Sequence, residues 1–90
     1  MIIVLKTNDN STWKLDLKNK AYERILHEGD SVSVERGDLL MVGRLKVGKP
    51  GMIFTPTLKG SCEVGKIIKT AAIVNIETGE NHAAVSAVRK

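Results

Sequence analysis

Gly65-Lys66-Ile67-Ile68-Lys69-Thr70-Ala71-Ala72-Ile73-Val74-Asn75-Ile76, then Glu77-Thr78-Gly79-Glu80-Asn81, then His82-Ala83-Ala84-Val85-Ser86-Ala87-Val88. Two runs of β-branched and small apolar residues flank a turn whose glycine takes positive φ at little cost. That pattern predicts a β-hairpin. Side chains alternate along a strand, so strict alternation sets Ile68, Thr70, Ala72, Val74 and Ile76 on one face. The return arm offers Ala83, Val85 and Ala87 on one side and Ala84, Ser86 and Val88 on the other. A two-stranded ribbon is not stable alone, so the preceding residues must cover its apolar face.

Those residues read as more strands. Met1 to Thr7 is apolar on both faces, as in a central strand, and Asn8-Asp9-Asn10 is a turn cluster. Ser11 to Leu17 alternates with Trp13, Leu15 and Leu17 inward and Thr12, Lys14 and Asp16 outward. Residues 18–28 admit two readings. Leu17, Ala21 and Ile25 recur every four residues ahead of Gly29, which fits one short helix. The alternative is a turn at Lys18-Asn19-Lys20 and a return strand through Tyr22, Arg24 and Leu26. Leu15-Asp16-Leu17-Lys18-Asn19-Lys20 echoes Val74-Asn75-Ile76-Glu77-Thr78-Gly79, and the echo favours the hairpin.

Beyond Gly29-Asp30, Val32 and Val34 alternate with Ser31, Ser33 and Glu35. Arg36-Gly37-Asp38 reads as a hairpin turn rather than an adhesion motif, and Leu39 to Val47 as a strand with a bulge at Gly43. Gly48-Lys49-Pro50-Gly51 is a strong loop signal. Met52 to Leu58 is strand-like, with Pro56 placing it at a sheet edge. Together these predict an all-β protein: a small barrel or sandwich of seven or eight short antiparallel strands in a single domain, 1–90, with 18–28 as the one candidate helix. A barrel, which removes exposed edges, is the preferred form.

Ninety residues bury proportionally little surface, which predicts a homo-oligomer. No apolar run has the length of a signal peptide or membrane span, so a soluble cytoplasmic protein without a membrane partner is expected. Cys62 is the only cysteine, which excludes an intrachain disulfide. The net charge of +4 is uneven. Residues 1–45 carry seven basic and seven acidic groups, whereas 46–90 carry seven basic against three acidic. Such asymmetry suits a partner bearing phosphates.

Catalysis has little support in the residues. His27 and His82 fall in or beside presumed turns without metal-ligand spacing, and no serine occupies a nucleophile elbow. No catalytic residue, metal site or cofactor is expected. Anion binding has more. Arg44-Leu45-Lys46 presents two cations on one face, and Lys49 sits at a glycine-flanked tip with Gly48 and Gly51, whose amides would form an anion-holding concavity. Lys66 and Lys69 would add to the site if the fold brings them near. The loop lacks the spacing of a Walker A motif, and an ordinary tight turn explains it equally.

Gly29-Asp30-Ser31-Val32-Ser33-Val34-Glu35 through Val42-Gly43 resembles strand pairs of small SH3-like and oligonucleotide-binding barrels. That resemblance implies a small ligand-binding barrel. The aromatic platform on which such barrels stack bases is missing, since Trp13, Tyr22 and Phe54 are the only aromatics. Thr7 to Asp16 and Lys66 to Ile76 are similar to the ends of small uncharacterised all-β accessory proteins of bacteria and phages. The likeness implies action by binding, such as sequestering a nucleotide signal or blocking a host protein. The expected function is therefore a non-catalytic protein that engages a nucleotide or nucleic acid. The alternative is a protein–protein module using a strand edge or the apolar patch around Phe54.

Overall fold

The computed structural model describes residues 1–79. Seven antiparallel strands form one sheet: β1 (Ile2–Thr7), β2 (Ser11–Asp16), β3 (Ala21–Glu28), β4 (Ser31–Asp38), β5 (Met41–Val42), β6 (Pro50–Pro56) and β7 (Val64–Gly79). Their spatial order is β4-β3-β2-β1-β7-β6-β5. The described residues contain no helix, and so none long and apolar enough to cross a membrane. The return arm expected at 82–88 lies outside them.

β1 to β4 form a meander of consecutive hairpins. Residues 18–28 belong to one of these, not to a helix. Lys20 takes φ +56° in the β2–β3 turn, and Asp16 accepts hydrogen bonds from the Asn19 backbone N–H (3.0 Å) and Nδ2 (2.9 Å). β3 then pairs with β2 on one side and β4 on the other, so its backbone groups are satisfied between strands. Arg36-Gly37-Asp38 is not a turn either. It continues β4 opposite Glu23, Tyr22 and Ala21. The chain leaves β4 instead at Leu39-Leu40, where the Leu39 N–H donates to Lys20 O (2.9 Å) and the Leu40 N–H to Phe54 O (2.8 Å). Of the strand expected at 39–47, only Met41–Val42 is regular.

β7 organises the sheet. Its sixteen residues serve two ladders: Val64 to Ala72 pairs with β6, and Ile73 to Gly79 with β1. The register shifts between Pro50 and Met52 and between Thr55 and Pro56 on β6, and between Lys6 and Thr7 on β1. Extra residues on β7 at each of these places bend the strand and reset which side chains face inward. The inward series is therefore Ile68, Thr70, Ile73 and Ile76 rather than strict alternation. Val74, expected inside, is 54% exposed.

The core comprises Leu5, Trp13, Leu15, Tyr22, Leu39, Ile53 and Ile73. Trp13 and Tyr22 stack with ring centroids 6.3 Å apart, so two of the three aromatics are structural. Among the described residues the sheet is not closed into a barrel. Leu39-Leu40 links β4 to β5, but the two edge strands form no ladder with each other. β6, expected at an edge because of Pro56, instead lies between β7 and β5. Pro56 is its last residue and interrupts no central pairing.

Candidate functional site

Arg44 to Lys49 connects β5 to β6. Arg44 and Lys46 are exposed while Leu45 packs against the core, so both cations project outward. The Lys49 N–H donates to Lys46 O (3.1 Å), closing a four-residue turn with Gly48 at φ +93° in its third position. A type II turn needs positive φ there, which glycine adopts without strain. Ile73 then ties the turn to β7. The Gly48 N–H donates to Ile73 O (2.7 Å), and the Ile73 N–H to Lys49 O (3.0 Å). The Gly51 N–H donates to Thr70 Oγ1 (2.8 Å), whose hydroxyl donates in turn to Ala71 O (2.7 Å).

The amides of Gly48, Lys49 and Gly51 are thus all used inside the protein. The expected concavity of free backbone donors does not form, and the loop offers an anion only its cationic side chains.

Lys66 and Lys69 lie on β7 opposite Thr55 and Met52 of β6. Both line a cleft of about 270 Å³ together with Asp9, Trp13, Arg24 and Glu35. The loop cations Arg44, Lys46 and Lys49 do not line it. The expected site residues therefore form two groups on the β5-β6-β7 half of the sheet: Arg44, Lys46, Gly48, Lys49 and Gly51 at the loop, Lys66 and Lys69 on β7. Within the cleft, the carboxylates of Asp9 and Glu35 oppose an anion. A second groove, of about 450 Å³, is lined by apolar residues including Ile3, Leu17, Leu39 and Leu45, with Lys20 as its one cation.

The two arginines of the meander are paired within it, whereas Lys6, Lys14, Lys18 and Lys20 make no ion pair among the described residues. Arg24 pairs with Asp9 (3.0 Å) and Arg36 with Glu23 (2.7 Å). Among the described residues, Arg44, Lys46, Lys49, Lys66 and Lys69 make no ion pair. Asp9 anchors a small network at the β1–β2 turn. It accepts from Thr7 Oγ1 (2.6 Å), the Ser11 N–H (3.1 Å) and Arg24. Burial alone would raise its pKa, but the hydrogen bonds from Thr7 and Ser11 and the Arg24 charge outweigh it and hold the carboxyl below its ordinary value. Arg24 also donates to Ser11 Oγ (3.1 Å) and lies 5.1 Å above the Trp13 ring. The buried Trp13 Nε1 has no hydrogen-bond partner among the described residues.

Sequence reasoning missed this network, because its members meet only through the β1–β2–β3 register. The apolar patch expected around Phe54 takes the form of a row, Met41–Phe54–Ile67, which crosses three strands and surrounds half-buried Phe54 with exposed apolar neighbours. His27 and Cys62 are exposed, and His82 lies outside the described residues. No cluster of three potential metal ligands occurs among the described residues. The fold and site define an all-β protein with an open antiparallel sheet that is cationic on one half. No protein-family model, curated protein or solved structure matches the chain.

Proposed function

We propose that this is a non-catalytic binding protein of the cytoplasm whose β5-β6-β7 half holds a nucleic-acid backbone through Arg44, Lys46, Lys49, Lys66 and Lys69. One observation carries the reading: these cations make no ion pair among the described residues, and the surplus positive charge of the chain lies in their half of the sequence. Cations distributed over an exposed surface suit a polymer of phosphates, since each contact positions the backbone and none needs a dedicated pocket. A single nucleotide is less well served. The loop amides that would cradle its phosphate are already bonded, and the apolar groove holds only one lysine. With Trp13 and Tyr22 buried, half-buried Phe54 is the one aromatic left to stack a base, which also favours contact through the backbone.

The test is binding of a mixed-sequence oligonucleotide across a salt series. Engaging about four phosphates should weaken affinity about a hundredfold between about 50 and 200 mM salt. Affinity that ignores salt overturns the reading.

The exposed row Met41–Phe54–Ile67 favours a second reading, a module that binds another protein. It requires that no nucleotide or polynucleotide raise the melting temperature, because only a ligand of the folded state does so.

A further inference from the structure

β4 is a sheet edge of an unusual kind. Monomeric proteins blunt their edge strands with short length, charged side chains (lysine above all), proline, bulges or a covering segment. The opposite edge follows that rule, because β5 has two residues. β4 has eight, contains neither lysine nor proline, confines its charges to Glu35, Arg36 and Asp38 in its second half, and pairs with β3 without a register shift. Among the described residues nothing pairs with its outer side.

The hydrogen-bond parity identifies which groups are open. The Leu39 N–H points to Lys20 at the start of β3, and the His27 N–H points away from β4, to Asn10. In an antiparallel ladder bonded and non-bonded pairs alternate, so Ser31, Ser33, Glu35 and Gly37 point their N–H and C=O groups at β3. Val32, Val34 and Arg36 direct theirs to the open side. The side chains of Val32 and Val34 stand on the outer face, 57% and 50% exposed.

We infer that the outer edge of β4 is the interface with a second copy of this chain, the two strands pairing antiparallel about a two-fold axis through Ser33. Self-complementarity selects both occupant and register. Centring on Ser33 sets Val32 opposite Val34 and Asp30 opposite Arg36, each twice by symmetry. Val32 and Val34 are then bonded pairs that exchange N–H and C=O groups, and the four valines share one face. Centring on Val34 opposes Asp30 to Asp38, and centring on Glu35 opposes that carboxylate to itself. The interface joins two seven-stranded sheets into one.

The test uses the full chain in sedimentation equilibrium, with amide hydrogen exchange as a second readout. The expected result is a reversible dimer in which the amides of Val32, Val34 and Arg36 are protected. Val34→Pro removes a donor that the β3–β4 ladder does not use, so it should leave the fold and abolish the dimer. Arg36→Asp opposes two acids across the axis and should weaken the dimer at least tenfold. Adding Asp30→Arg should restore it, although the Glu23 pair within the chain stays broken. The charge exchange decides the matter if Val34→Pro fails to fold. A chain that is monomeric at every concentration, a dimer indifferent to Val34→Pro, or a double exchange that does not rescue would each overturn the proposal.

Discussion

Gly37 lies beneath the Tyr22 ring, where a Cβ would come within 2.6 Å of Tyr22 Cε2. A buried ring cannot yield that distance without disturbing Trp13 behind it, so Gly37→Ala should cost about 1–3 kcal/mol. A fall in melting temperature with the strand signature retained is the expected result. Asp9 sets a different residue-scale expectation. Its pKa is held below the ordinary 3.8, as is that of Asp16, whose carboxylate accepts hydrogen bonds from the Asn19 backbone and side chain. A carboxyl with a lowered folded-state pKa stabilises the protein fully above the unfolded value, and that contribution is lost as pH falls through the folded one. The melting temperature should therefore be level between about pH 7 and 5 and decline below about pH 4. Asp9→Asn should make the acid decline shallower, which thermal melts across the pH series would show.

Elements depend on where β7 changes partners. Thr70 stands at that point, buried, accepting from the Gly51 N–H and donating to Ala71 O. Thr70→Val keeps the shape but strands the Gly51 donor away from water, a loss of about 1–3 kcal/mol. The urea midpoint should drop with little change in slope, and Thr70→Ser, which keeps the hydroxyl, should drop it less. Equal losses in the two variants would mean that the methyl group, not the hydrogen bond, holds β6 to β7 here. The alternation of Ile67 to Ile76 marked a strand correctly. It could not mark the bulges, because a bulge is defined by the residue opposite, and those partners lie in β1 and β6. Arg36-Gly37-Asp38 misled for a related reason. Glycine there makes room for the Tyr22 ring, and no local signal separates that use from a turn.

The molecule as a whole separates its charge. Arg44 and Lys46 are exposed and unpaired among the described residues, so Arg44→Glu with Lys46→Glu should change stability by less than about 0.5 kcal/mol each. If they contact phosphates, the double variant should bind an oligonucleotide more weakly and lower the slope of log K on log salt by about two. An unchanged slope would remove the loop from the binding face. The charge asymmetry and the outward alternation of Arg44 and Lys46 were both readable in the chain. The fate of the loop amides was not, since Gly48, Lys49 and Gly51 spend them on partners as far away as Thr70 and Ile73.

By itself, the sequence determined the strand-forming runs, most of the turns between them, and the half of the chain in which surplus cations accumulate. These follow from two-residue periodicity, turn chemistry and composition, all of which act over a few neighbouring residues. The tertiary structure alone decided that β7 is shared between two ladders, that Ile73 rather than Val74 is inside, and that, among the described residues, the sheet stays open and nothing pairs with the outer side of β4. Each of those depends on which distant backbone groups satisfy one another, and hydrogen bonding between strands is blind to distance along the chain.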